Sequence, residues 1–164
     1  MNGALNALRQ GVAEQLRTWG LNAVTAMEPD RAGRWREPVV AVSLSRVKCA
    51  PGGFQDYLGV QTEGGTVREL YGREVELTLS LDIYAPRQGG ESACQQTLAA
   101  MTESLICKGA AGLTALDIQA EQVEFAEKLG LYRQAASCRC RAWLVAAADE
   151  GGSFVDFEVK GRKR

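Results

Sequence analysis

The sequence predicts an α+β domain, an antiparallel or mixed β-sheet with two helices packed on one face. Two stretches of helical period, at residues 5–19 and 94–105, and one strictly alternating stretch at 75–84 carry that expectation. The alternation also excludes the main competitor. A doubly wound parallel sheet needs continuously apolar strands. Here Val75, Leu77, Leu79, Leu81 and Ile83 alternate with Glu76, Thr78, Ser80, Asp82 and Tyr84, which leaves one face wet.

Taken in order, Leu5, Leu8, Val12, Leu16 and Trp19 recur at steps of three and four, so a helix places them on one face and turns Arg9, Glu14 and Arg17 to water. Gly20 stands where a left-handed C-cap is needed. Residues 21–37 mix Pro29, Gly33 and charge and read as a hairpin or loop. After Pro38, Val40, Val42 and Leu44 alternate with Ala41 and Ser43, the pattern of a half-buried strand. A long loop is then expected between the second and third segments, over residues 50–72, rich in glycine. A connection of that length is functional, mobile or itself a hairpin.

The strand at 75–84 ends at Pro86, Gly89 and Gly90. Ser92 can cap a second helix on which Cys94, Leu98, Met101 and Leu105 share a face, with its end near Lys108 and Gly109. In the next segment Leu116, Ile118 and Ala120 have one parity and Val123 and Phe125 the other, so a bulge or bend is expected near Glu121 and Gln122. Residues 132–144 read as one strand whose even positions, Ala136, Cys138, Cys140, Ala142 and Leu144, are small or apolar, and whose odd ones include Arg133, Arg139 and Arg141. The domain is expected to span 1–148, with 149–164 a flexible link, a possible edge strand in FVDFEV and a basic tail. The element order is therefore helix, strand, strand, helix, strand, strand.

Chemistry is constrained by what the chain lacks. Without histidine, the commonest general base and metal ligand are both missing. Cys138 and Cys140 on a strand point the same way, about 7 Å apart along the backbone. A zinc site needs two more ligands, and Cys49, Cys94 and Cys107 show no paired spacing. The glycine pairs at 52–53 and 64–65 form no phosphate-binding loop and read as turns. No catalytic residue, metal ligand or cofactor is expected. An odd cysteine count fits a reduced, intracellular protein, and the charged N-terminal segment offers neither an export signal nor a membrane span.

With 19 basic and 20 acidic residues there is no overall drive toward nucleic acid or anionic membranes. What stands out is aromatic and apolar content in the glycine-rich 50–72 stretch: Phe54, Tyr57, Leu58 and Tyr71 are candidates for a protein interface. Folding back over the sheet as a lid is the equal alternative. Arg34 and Trp35 form a second candidate, and the alternative function is a nucleic-acid-binding module using Trp35, its neighbouring arginines and the basic C-terminus.

The element order and local features resemble the tail terminator proteins of long-tailed bacteriophages, of the minor tail protein U type, and related tail-completion proteins. The resemblance rests on LNALRQGVAEQLRTW, PVVAVSL, LDIYAP, CQQTLAAMTESL and the terminal strand pair, and covers about residues 5–147. It implies a non-enzymatic structural protein forming a ring with itself, usually a hexamer. That ring caps the head-proximal end of the tail tube and supports head-tail joining. The implied partners are the tail tube protein and a head-tail connector protein. The implied place is the bacterial host cytoplasm during assembly, then the virion tail.

Overall fold

A computed structural model describes residues 2–49, 57–148 and 154–160. In chain order the elements are helix α1 (Asn2–Thr18), strand β1 (Asn22–Val24), a 3-10 turn (Pro29–Arg34), β2 (Val39–Cys49), β3 (Tyr57–Glu63), β4 (Thr66–Pro86), helix α2 (Gly90–Cys107), β5 (Thr114–Ala120), β6 (Glu124–Ala126), β7 (Leu131–Gln134), β8 (Ala136–Ala148) and β9 (Phe154–Lys160). All nine of these strands belong to one sheet, mixed because β1 runs parallel to β2 while the other pairings are antiparallel. The α+β architecture expected from the sequence is the one observed.

The organising element is β4, 21 residues long. On one side it pairs first with β3 and then with β2. On its other side lie β8 and then β7, in a single register from Glu69↔Ala148 to Pro86↔Leu131. The interruption at Ala135 therefore inserts nothing into that ladder. It arises on the far side, where three residues between β5 and β6 stand against two of β7–β8 between Ala120↔Ala136 and Glu124↔Arg133. Here the Glu121 amide donates to Ala135 O at 2.8 Å, and Gln134 Nε2 donates to Glu121 O at 3.0 Å. This is the slip that the parity change foretold.

Odd positions of β4 build the core. Val75, Leu77, Leu79, Leu81 and Ile83 are buried against Leu8, Val12 and Leu16 of α1 and Cys94, Met101 and Leu105 of α2, so both helices cover the same face. Helix α1 closes as its pattern requires: Leu21 N donates to Leu16 O, Gly20 N to Arg17 O, and Gly20 adopts φ +85°, a Schellman ending. Helix α2 starts earlier than Ser92, at Gly90, with no side-chain cap; the Ser92 hydroxyl instead accepts from Gln96 Nε2.

The opposite face is wet over its middle and dry at one end. Arg141 reaches Glu74 at 2.7 Å, Arg139 reaches Asp117 at 2.6 Å and Glu76 at 3.8 Å, and Arg133 bridges Asp82 and Glu124 at 3.2 Å each. At the C-terminal end of β4, Tyr84, Val39 and Leu131 form a second apolar cluster under the 3-10 turn, with Ala32 buried and Trp35, Met27 and Val24 packed against it.

Four expectations are corrected. The 21–37 segment contains β1 and the 3-10 turn that roofs the second cluster. The long loop expected over 50–72 is, from Tyr57 onward, a β-hairpin. The single strand at 132–144 is two strands, β7 and β8. Leu116 lies at a bulge between Ala115 and Asp117 and is 38% exposed, so Ala115 and Ile118 take the core-facing positions instead.

Candidate functional site

The hairpin of β3 and the first part of β4 is built from a two-residue turn. Glu63 pairs with Thr66 across Gly64 and Gly65, whose φ values of +58° and +82° are those of a type I′ turn, the geometry that matches the twist of the flanking strands. Both strands continue outward past the region that α1 and α2 cover. Residues 60–63 and 66–69 are exposed, on both faces of the ribbon. The hairpin is thus an arm, joined on its second edge to β8 and through it to β9.

The alternation that makes the core explains what the arm displays. Continued from Val75 in the same register, the core-facing parity of β4 runs through Tyr71, Glu69 and Val67, opposite Tyr57, Val60 and Thr62 of β3. Below, that parity is roofed by helices. On the arm it is bare: Val60 is 53% exposed, Val67 49% and Tyr57 48%. Tyr57 meets Tyr71 edge-on with ring centroids 5.5 Å apart, a geometry that holds both rings in place. The Tyr71 phenol donates to Glu69 Oε2 at 2.7 Å, and this bond to a carboxylate raises its pKa above the ordinary tyrosine value.

Leu58 has a different role. The register shifts between Tyr57 and Gly59, with Gly59 at φ +129°, so Leu58 is the extra residue of a bulge. Its side chain lies over the buried Gly72: a Cβ added there would stand 2.5 Å from Leu58 Cδ1 and 3.0 Å from Leu144 O. Gly72 is also the point where the partner of β4 changes from β3 to β2. Leu58 therefore anchors the arm to the body, though 43% of it remains exposed.

No family model matches the chain, and no curated protein matches it either. Among solved structures, a chain of the virion of native gene transfer agent (GTA) particle is similar over 86% of this chain and 92% of its own, at 17% identity and a TM-score of 0.36. A likeness that faint decides neither fold nor function.

The other candidates fall elsewhere. Phe54 lies outside the described residues. Arg34 is exposed at the end of the 3-10 turn, while Trp35 is half-buried in the second cluster, its Nε1 buried without a hydrogen-bond partner. Trp35 thus serves the roof of that cluster and leaves little ring face for stacking on a base. From Tyr71 to Tyr84 the strand runs roughly 40 Å at 3.3 Å per residue, so the two candidate surfaces are at opposite ends of β4. Cys138 and Cys140 face the core with Sγ atoms 3.4 Å apart. Their mutual hydrogen bond and burial push the Cys140 thiol far above its usual range, which keeps Cys140 in the thiol form.

Sequence reasoning missed Val47, Val60 and Val67 on the arm side, and Ile106 and Leu116 on the other side of the sheet, all exposed apolar residues. The signal for Val60 and Val67 was present in the Gly64–Gly65 pair flanked by alternating residues, a hairpin signature.

Proposed function

We propose that this chain is a structural protein of a phage or prophage particle, of the tail-completion type, which acts by assembling and not by catalysis. One observation carries the reading: a helix-free arm displays Tyr57, Val60 and Val67 to solvent on the parity that elsewhere forms the core. Exposed apolar side chains in a row on a projecting ribbon are costly in a free monomer and favourable once a partner covers them. The outer edge of β3, unpaired among the described residues, adds backbone donors and acceptors for the same partner.

The resemblance to tail terminator proteins supplies the station. In that reading the arm joins copies of the chain into a ring, usually a hexamer, at the head-proximal end of the tail tube. One face of the ring meets the tail tube protein and the other a head-tail connector protein. Assembly takes place in the bacterial host cytoplasm, and the product is part of the virion tail.

The test is capping. Purified protein added to tail tubes should appear in negative-stain images as a ring on one end of each tube and stop further growth. Tubes left bare on both ends, with the protein monomeric beside them, would defeat the reading.

A further inference from the structure

Cys138 and Cys140 are reactive groups that the assembly reading leaves unused. Both are buried on β8, where the register sets them opposite Leu79 and Leu77 of β4. Two apart on a strand, they point to the same face with backbones about 7 Å apart, yet their sulfurs stand only 3.4 Å from each other. The remaining buried cysteine, Cys94 on α2, has no sulfur neighbour among the described residues.

The two thiols are also unequal. The hydrogen bond with Cys140 holds the Cys138 thiol below its ordinary value, while that bond and burial push Cys140 up. Cys138 is therefore the sulfur that reaches the thiolate first, and Cys140 keeps the proton. Cys94 is pushed up by burial and then by Glu91.

We propose that Cys138 and Cys140 form a reversible disulfide within β8, made by an oxidant of the hydroperoxide class and undone by a dithiol. The Cys138 thiolate attacks one oxygen of the peroxide and breaks the O–O bond, giving a sulfenic acid and hydroxide. The Cys140 sulfur then displaces the hydroxyl from Cys138, and the Cys140 proton leaves with it as water. Overall, two thiols and one hydrogen peroxide become one disulfide and two waters. The product is uncharged, so the dry core accepts it without a polar partner. This inference is independent of the reading of the chain as a particle component.

Geometry sets the character of the bond. A backbone spacing of about 7 Å lies at the upper limit of the roughly 4.4–6.8 Å usual across a disulfide, so closing the ring shortens the strand locally. The ladder to β4 is continuous through Leu77 and Leu79, and Arg139 is held on the other face by Asp117 and Glu76. Slack exists on the β5 side, where a bulge separates Ala115 and Asp117, the partners of Cys140 and Arg139. A ring of three residues also constrains the unfolded chain little. The disulfide is thus strained and easily reduced, and it loosens β8 instead of stapling it.

The experiment treats the purified wild type with hydrogen peroxide, alkylates free thiols in denaturant and digests with trypsin without reductant. Cleavage after Arg133, Arg139 and Arg141 separates Cys138 from Cys140, so the bridge appears as residues 134–139 still joined to residues 140–141. The expected result is that joined pair, formed after the exposed Cys49 and Cys107 have reacted. The melting temperature should fall by a few degrees and return with dithiothreitol. Cys140→Ala should give no joined pair and leave Cys138 as a sulfenic or sulfinic acid, whereas Cys138→Ala should leave Cys140 a free thiol. The decisive reading is made on the wild type, so it stands even where a variant folds poorly. Recovery of both cysteines alkylated once Cys49 and Cys107 are fully oxidised would overturn the proposal, as would a bridge from either one to Cys94. A melting temperature that rises on oxidation would contradict the strained ring.

Discussion

Gly72 shows how one residue sets the junction between body and arm. Its backbone φ is ordinary, so any residue could adopt it; what excludes a side chain is space. A methyl group would collide with Leu58, which can turn away, and with Leu144 O, which is held by the β4–β8 ladder. Gly72→Ala should cost about 1–3 kcal/mol in chemical denaturation, as overpacking does. Adding Leu58→Ala should recover part of the loss and leave the share due to the carbonyl. The same scale explains why the surroundings of Trp35 and Val60 are not legible in their local sequence. A tryptophan between arginines looks like a contact residue, yet the 3-10 turn folds it onto Tyr84 and Leu131, residues distant in sequence. A valine among Gly59, Gln61 and Thr62 looks unremarkable, and its exposure follows from where α1 and α2 end.

At the scale of elements, the body and the arm should differ in local stability. The strand over 75–83 is buried beneath both helices, whereas the arm holds few buried side chains. Hydrogen exchange should therefore find the amides of β3 opening well before those of β4 at 75–83. Gly64→Val, at a position with φ +58°, should cost about 1–2 kcal/mol because a β-branched residue resists the left-handed region. It should speed exchange in β3 and leave the core strand unchanged. Equal effects in both would mean that the arm and body unfold as one. The long periodic elements were legible because each carries its own burial pattern: both helices, β2, the core of β4, and the parity slip before β6. Elements set by neighbours were not. Strand β1 has three residues and is defined by its parallel register on β2. The break between β7 and β8 leaves the β4 ladder intact, so it has no signature in the alternation of residues 131–148.

At the scale of the molecule, the sheet is finished on one face and unfinished at one end. Helices close the core, ion pairs lace the wet face, and the 3-10 turn roofs the second cluster, while the arm keeps the core's parity with neither helix above it. That contrast is the reason for reading the chain as an assembly unit, and it could not be seen before the hairpin was placed beside the helices. Native mass spectrometry of the wild type against a Tyr57→Ser, Val60→Asp arm variant tests it most directly. The account predicts a closed oligomer of the wild type and a monomeric variant with an unchanged melting temperature. A variant that assembles as readily as the wild type would contradict it.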